Sequence, residues 1–210
     1  MFISPKYNAE NFSQPPSVDD KITIFADRTM GWKLDIADQL INGRKRNDGA
    51  EERSPIPHSG YATIDIVFSY FEMIAKYEDG FAQIGQSEKY FKSGVYSVFP
   101  NLKQHQVPVK IPGVQGKVIS VIDYVLDLLY KGVRCGLYHS GITNGRIVIT
   151  GDISEPMALD LQNMVLIINP HRLIPTLIVH FTSYISRLRD PNNQELRKNF
   201  GARFDFDSRV

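Results

Sequence analysis

Two side chains able to do chemistry together stand five residues apart, in Arg134-Cys135-Gly136-Leu137-Tyr138-His139. A neutral imidazole can take or give a proton near pH 7. A guanidinium offers a phosphate a permanent, planar fork of donors. Cleavage of an RNA strand through its own 2′-hydroxyl needs both services: a base for that proton and a cation to steady the charge on phosphorus. The two groups suffice for it without a metal. Lys131 and Arg146 could extend a basic lining around them, and Tyr138 could donate a hydrogen bond or stack on a base. Competing chemistries lack their residues. The chain has no CxxC, no HExxH, no carboxylate cluster at ligand spacing and no glycine-rich phosphate loop, so neither metal nor cofactor is expected. His171 and His180 have no metal-ligand spacing, His180 reads as a core or surface residue, and His105 as exposed.

The element that must position the pair runs from Lys117 to about His139. Val118, Ile122, Val125, Leu129, Val133 and Leu137 recur as one face of an α-helix, with Asp123, Asp127, Lys131 and Arg134 on the other. Ser140-Gly141 is its exit. Residues five apart on an ideal helix differ by about 140° around the axis, so the two groups share a face only if the helix loosens between them. Gly132 and Gly136, four apart, make a smooth notch that another backbone can approach closely. They are candidate dimer contacts, and His139 would overlook the notch.

This helix with its Arg134-to-His139 spacing resembles the R-x4-6-H signature of HEPN domains, all-helical modules of which many are metal-independent ribonucleases of toxin–antitoxin and defence systems. Arg53 and His58 match the same spacing, but across Ser54-Pro55-Ile56-Pro57, which cannot be helical. The resemblance implies a homodimer in which two motifs build one cleft, with His139 for proton transfer and Arg134 for the phosphate. RNA and an antitoxin protein are the partners it implies. Cys135 stands where the family often carries Asn, Asp or His. That departure and the nearly neutral chain favour an alternative, a non-catalytic dimeric HEPN-like binding or sensor module. A third possibility is an unrelated interaction domain in which Arg134 only answers Asp127 or Asp123.

With 210 residues, 42% hydrophobic and 22% charged, the chain can bury a full core in one domain. A net charge of +1 excludes general electrostatic affinity for nucleic acid, so RNA binding must come from a local patch. One cysteine, no membrane-length apolar run and no signal-peptide start make cytoplasmic the default.

The expected fold is mainly α: a HEPN-like bundle of about five to six helices over residues 21–210, after an irregular arm at 1–20 that could lie on the body. A two-stranded β appendage is expected at about 146–168, from Arg146–Thr150 and Met164–Ile168 after the Asn144-Gly145 turn. Lys21–Ala26 alternates and reads as a short strand or extended lead-in, after which Thr29 caps a helix ending at Asn42-Gly43. Arg44–Arg53 reads as a solvated loop, with Arg44, Lys45 and Arg46 as a minor RNA-contact candidate. A helix opened by Ser59 or Gly60 and running to about Asp79 carries one narrow polar stripe, Asp65, Ser69, Glu72, Lys76 and Asp79, and so is buried on most sides. If that stripe met the polar face of the Lys117–His139 helix, Asp65 or Glu72 could orient His139 or pair with Arg134. Ser87 caps a helix over Glu88–Phe99, and 101–116 reads as a long irregular connection. Pro175 starts a helix to Leu188, Asp190-Pro191 starts another ending near Gly201, and the tail GARFDFDSRV alternates as a strand or stays loose.

Overall fold

The computed structural model describes residues 3–45, 48–81, 85–104, 107–110 and 118–208. The fold is mainly α, with six helices among the described residues. Helix α1 runs Val18–Thr29, widens into a π turn at Met30–Leu34 and continues as Asp35–Asn42. Helix α2 is Gly60–Asp79 and α3 is Ser87–Val98. Helix α4 is Val121–Asp127, a second π stretch at Leu128–Cys135, then Gly136–Ser140. Helices α5 and α6 are Pro170–Arg189 and Gln194–Asp207.

Helix α2 is the axis of the bundle because its sequence leaves it little polar surface. Ile64, Val67, Phe68, Phe71 and Ile74 are buried, and α3, α1, α4, α5 and α6 all pack on it. Phe25 of α1 meets Tyr77 of α2, Phe181 of α5 and Phe200 of α6, with ring centroids 4.3, 5.6 and 5.4 Å away. Contact with α3 is closest of all. A Cβ on Gly94 would fall 1.8 Å from the Phe71 carbonyl oxygen, so only glycine allows this crossing.

Several local expectations are corrected. Lys21–Ala26 is helical: Ser17 caps α1 by accepting from the Asp20 amide, and Ile22, Phe25 and Thr29 are buried at spacings of three and four. Thr29 is therefore inside the helix rather than its cap. The irregular arm ends before Val18 and does lie on the body, Ile3 accepting from Arg28 and Pro5 covering Gly31. Pro175 lies inside α5, whose first residue is Pro170 behind the cap Asn169. The tail is α-helical, because Phe200 and Phe204 are buried one turn apart and Arg203 pairs with Asp207 across another.

The helix bearing the motif starts at Val121, capped by Ser120, since Val118–Ser120 is a strand paired antiparallel with Pro108–Lys110. The expected start at Lys117, residues 105–106 (His105 among them) and 111–116 of the expected 101–116 connection, and Arg46 lie outside the described residues. Arg44–Lys45 and Glu51–Arg53 pair as a small ribbon within the expected loop. The appendage has three strands, Ile147–Ile149, Met157–Asp160 and Val165–Ile168, the last in the middle, parallel to the first and antiparallel to the second. Met157–Asp160 lies between the two expected strands and was missed because four residues without alternation carry no strand signal.

Candidate functional site

Helices α2 and α4 do bring their polar faces together. Arg134 Nη2 donates to Glu72 Oε2 at 3.2 Å, with the two side chains 27% and 12% exposed. Glu72 also accepts at Oε1 from Lys76 Nζ (2.5 Å) and from Ser87 Oγ (2.8 Å). Burial by itself would raise the Glu72 carboxyl. The hydrogen bonds from Lys76 and Ser87 and the charges of Lys76 and Arg134 outweigh it, holding Glu72 below the ordinary glutamate value. Arg134 thus answers α2, and it is Lys131 that answers Asp127 along α4, at 3.0 Å.

Aromatic rings hold the guanidinium on its other sides. Its Cζ lies 5.9 Å from the Tyr130 ring centroid and 5.4 Å from that of Tyr138. Tyr130, Arg134 and Tyr138 recur every four residues, so the cation is bracketed by one turn on either side. Tyr138 is 73% exposed and its ring meets that of His139 edge-on, centroids 4.9 Å apart. Tyr138 therefore bridges the two motif side chains. His139 itself is exposed on the last turn of α4, which ends in a left-handed Gly141. Asp65 is exposed and neither it nor Glu72 orients the histidine.

The remaining candidates go elsewhere. Arg146 turns its guanidinium to the Asn163 carbonyl, 3.5 Å away, and with Lys131 on Asp127 the expected basic lining of Lys131, Arg134 and Arg146 is not assembled. The glycine notch is filled from within the chain. A Cβ on Gly132 would meet Ile147 Cδ1 at 2.7 Å, and one on Gly136 would meet the Ile142 carbonyl oxygen at 2.6 Å. The Asn144 amide donates to the Gly132 carbonyl at 3.0 Å, sealing the turn against the helix. The two glycines admit the 142–147 turn, not a second subunit.

Arg134 lines a hollow of about 210 Å³ with Ser69, Glu72, Met73, Lys76, Tyr77, Arg203 and Asp207. Sequence reasoning passed over Tyr130 and Arg203, and read Lys76 only as a member of the polar stripe. The four-residue Tyr-Arg-Tyr and Glu72-Lys76 spacings were the available signals. A larger hollow of about 430 Å³, between Phe99, Leu102, Val125 and the Met157–Leu159 strand, is apolar and contains neither motif residue.

His180, read from the sequence as a core or surface residue, closes a half-buried polar chain. Its Nδ1 is 2.7 Å from the Tyr70 hydroxyl and its Nε2 3.1 Å from Ser97 Oγ, which donates to Glu78 Oε1 at 3.0 Å. Burial, followed by the charge of Arg187, holds the imidazole below the ordinary histidine value. Burial also raises Glu78, and it keeps the Tyr70 hydroxyl protonated. Ser97 gives its proton to Glu78. The tautomer that fits this donates from Nε2 to Ser97 Oγ and accepts at Nδ1 from Tyr70, and in that tautomer the histidine is not a base for Ser97.

No group of His, Cys, Asp and Glu among the described residues could hold a metal ion, and no helix there is long and apolar enough to cross a membrane. The chain matches no protein-family model, no curated protein and no solved structure.

Proposed function

We propose that this is a HEPN-like endoribonuclease that cuts RNA without a metal, Arg134 gripping the scissile phosphate and His139 moving the proton. The observation that carries this reading is the continuous Arg134–Tyr138–His139 contact at the end of α4, with the guanidinium fixed in a groove and the imidazole outside it. Glu72 and the two tyrosine rings preorganise the arginine, which leaves less of its orientation to be fixed when a phosphate arrives. An imidazole exposed on a helix end is accessible to a strand and to a second copy, whose motif would complete the cleft.

A second reading, a dimeric HEPN-like binding module without cleavage, is favoured by the Glu72–Arg134 pair. A guanidinium already neutralised must share or release Glu72 before it can grip phosphate. Cleavage of RNA in EDTA by wild type, Arg134→Ala and His139→Ala separates the two, after circular dichroism shows all three folded. Loss in both variants supports the nuclease. Folded wild type that binds RNA but leaves it whole supports the module, and equal cutting by all three removes the site.

A further inference from the structure

The hollow at Arg134 does not end there. A second, of about 260 Å³, adjoins it and shares Met73, Tyr77 and Asp207 as its floor, extending it to Arg28, Trp32 and Lys33 of α1. Together the hollows are lined by five cationic side chains, Arg28, Lys33, Lys76, Arg134 and Arg203, and two carboxylates, Glu72 and Asp207. That local excess of three positive charges sits in a chain whose net charge is only +1. It is the kind of patch that RNA binding by a near-neutral protein requires.

The carboxylates are already committed. Glu72 holds Lys76 and Arg134, and Asp207 is held by Arg203. Arg28 and Lys33 have no carboxylate partner among the described residues. Arg28 Nε donates to the Ile3 carbonyl at 2.6 Å, and Lys33 Nζ donates only to Ser69 Oγ at 3.1 Å. Burial holds the Lys33 ammonium below the ordinary lysine value, a cost that an arriving anion would relieve. Beside it Trp32 is 48% exposed, a flat ring at the groove's edge. Trp32 and Lys33 come from one π turn and Arg134 from the other, and π turns occur disproportionately at functional sites.

We propose that this groove is the track for a single strand of RNA, running from Trp32 and Lys33 over Met73 and Tyr77 to Arg134. The inference rests on the RNA reading above and adds the path by which the strand reaches the motif. The cations come from four different helices and are distributed along both hollows. A chain of repeated phosphates matches that spread better than one compact anion, and a base can stack on Trp32.

The test is fluorescence anisotropy with a labelled single-stranded 2′-O-methyl RNA of about 15 nucleotides, which cannot be cut through its 2′-oxygen. The full-length wild type is compared with Lys33→Gln, Trp32→Ala and Arg189→Gln, the last an exposed cation outside the groove. Each variant is first shown to unfold at the wild-type temperature. Lys33→Gln and Trp32→Ala should each weaken binding about fivefold or more, Lys33→Gln should lower the salt slope by about 0.7, and Arg189→Gln should bind as wild type does. Equal binding by all four proteins overturns the track, as does displacement of the strand by inorganic phosphate as readily as by unlabelled RNA. Failure of the two readings is distinguishable. Groove-dependent binding without cleavage leaves the track and removes the nuclease. Cleavage lost in His139→Ala, with groove variants binding normally, does the reverse.

Discussion

Removing either partner of the Glu72–Arg134 pair should cost stability non-additively, by an amount set by its intermediate burial. The charges stand 3.2 Å apart with the side chains 12% and 27% exposed. At that separation and the effective dielectric of a protein surface, a pair is worth roughly 5 kcal/mol before desolvation. Desolvation takes back much of that, and Glu72 retains Lys76 and Ser87 when the arginine is lost. The net coupling should be about 1–2 kcal/mol, above that of exposed pairs and below the 3–5 kcal/mol that follows from stranding a fully buried charge. Arg134→Met keeps an apolar stem between the tyrosines, and Glu72→Gln keeps the shape of the carboxylate. Urea denaturation of wild type, both single variants and the double variant at pH 7 gives the coupling. Its pH dependence has a definite sign. Glu72 is depressed in the folded protein, so its contribution is fully present above the unfolded value and is lost as pH falls through the folded one. Single-variant effects that add within about 0.3 kcal/mol at pH 7 would refute the reasoning that Glu72 fixes Arg134.

Gly94→Ala should destabilise the protein by about 3 kcal/mol or abolish its folding, because the new methyl group collides with backbone at Phe71. Gly201→Ala, a helical site with nothing within 4 Å, should be neutral or stabilising by up to about 1 kcal/mol in the same thermal melts. Gly136→Ala should cost about 1–3 kcal/mol through the Ile142 carbonyl, equally at low and high protein concentration; a cost that grows with concentration would place the glycine in a dimer contact instead. His180 has a depressed folded value, so its contribution to stability is present above the ordinary histidine value near 6.5 and is lost as pH falls toward the folded one. His180→Gln should therefore flatten the decline of the urea midpoint on acidification below pH 6.5, and an unchanged profile would refute the half-buried neutral imidazole.

What could be read from the sequence followed the strength of local periodicity. One narrow polar stripe marked α2 and the burial of its apolar faces, and the same stripe held Glu72, the residue that meets Arg134. The motif helix was legible for the same reason, apart from its first turn, where Ser120 caps and a strand precedes. Alternating segments misled. Lys21–Ala26 and the RFDFD tail satisfy a period of two over a few residues, and only neighbours three and four away, such as Phe200 and Phe204, reveal the helix. The notch at Gly132 and Gly136 was visible as a notch. What fills it was not, since spacing along one helix says nothing of which backbone arrives. The basic groove could not be read at all, because Lys33, Lys76, Arg134 and Arg203 are separated by most of the chain and meet only through packing of α1, α2, α4 and α6.

The nuclease reading requires that cleavage run through the substrate's own 2′-oxygen, with no metal. Incubation of the wild type in EDTA with a single-stranded RNA, and with the same sequence 2′-O-methylated throughout, puts that requirement directly to the molecule. The reading predicts cleavage of the first into fragments ending in cyclic phosphate, no cleavage of the second, and loss of the activity in His139→Ala. Cleavage of both strands, or activity that survives in His139→Ala, would contradict it.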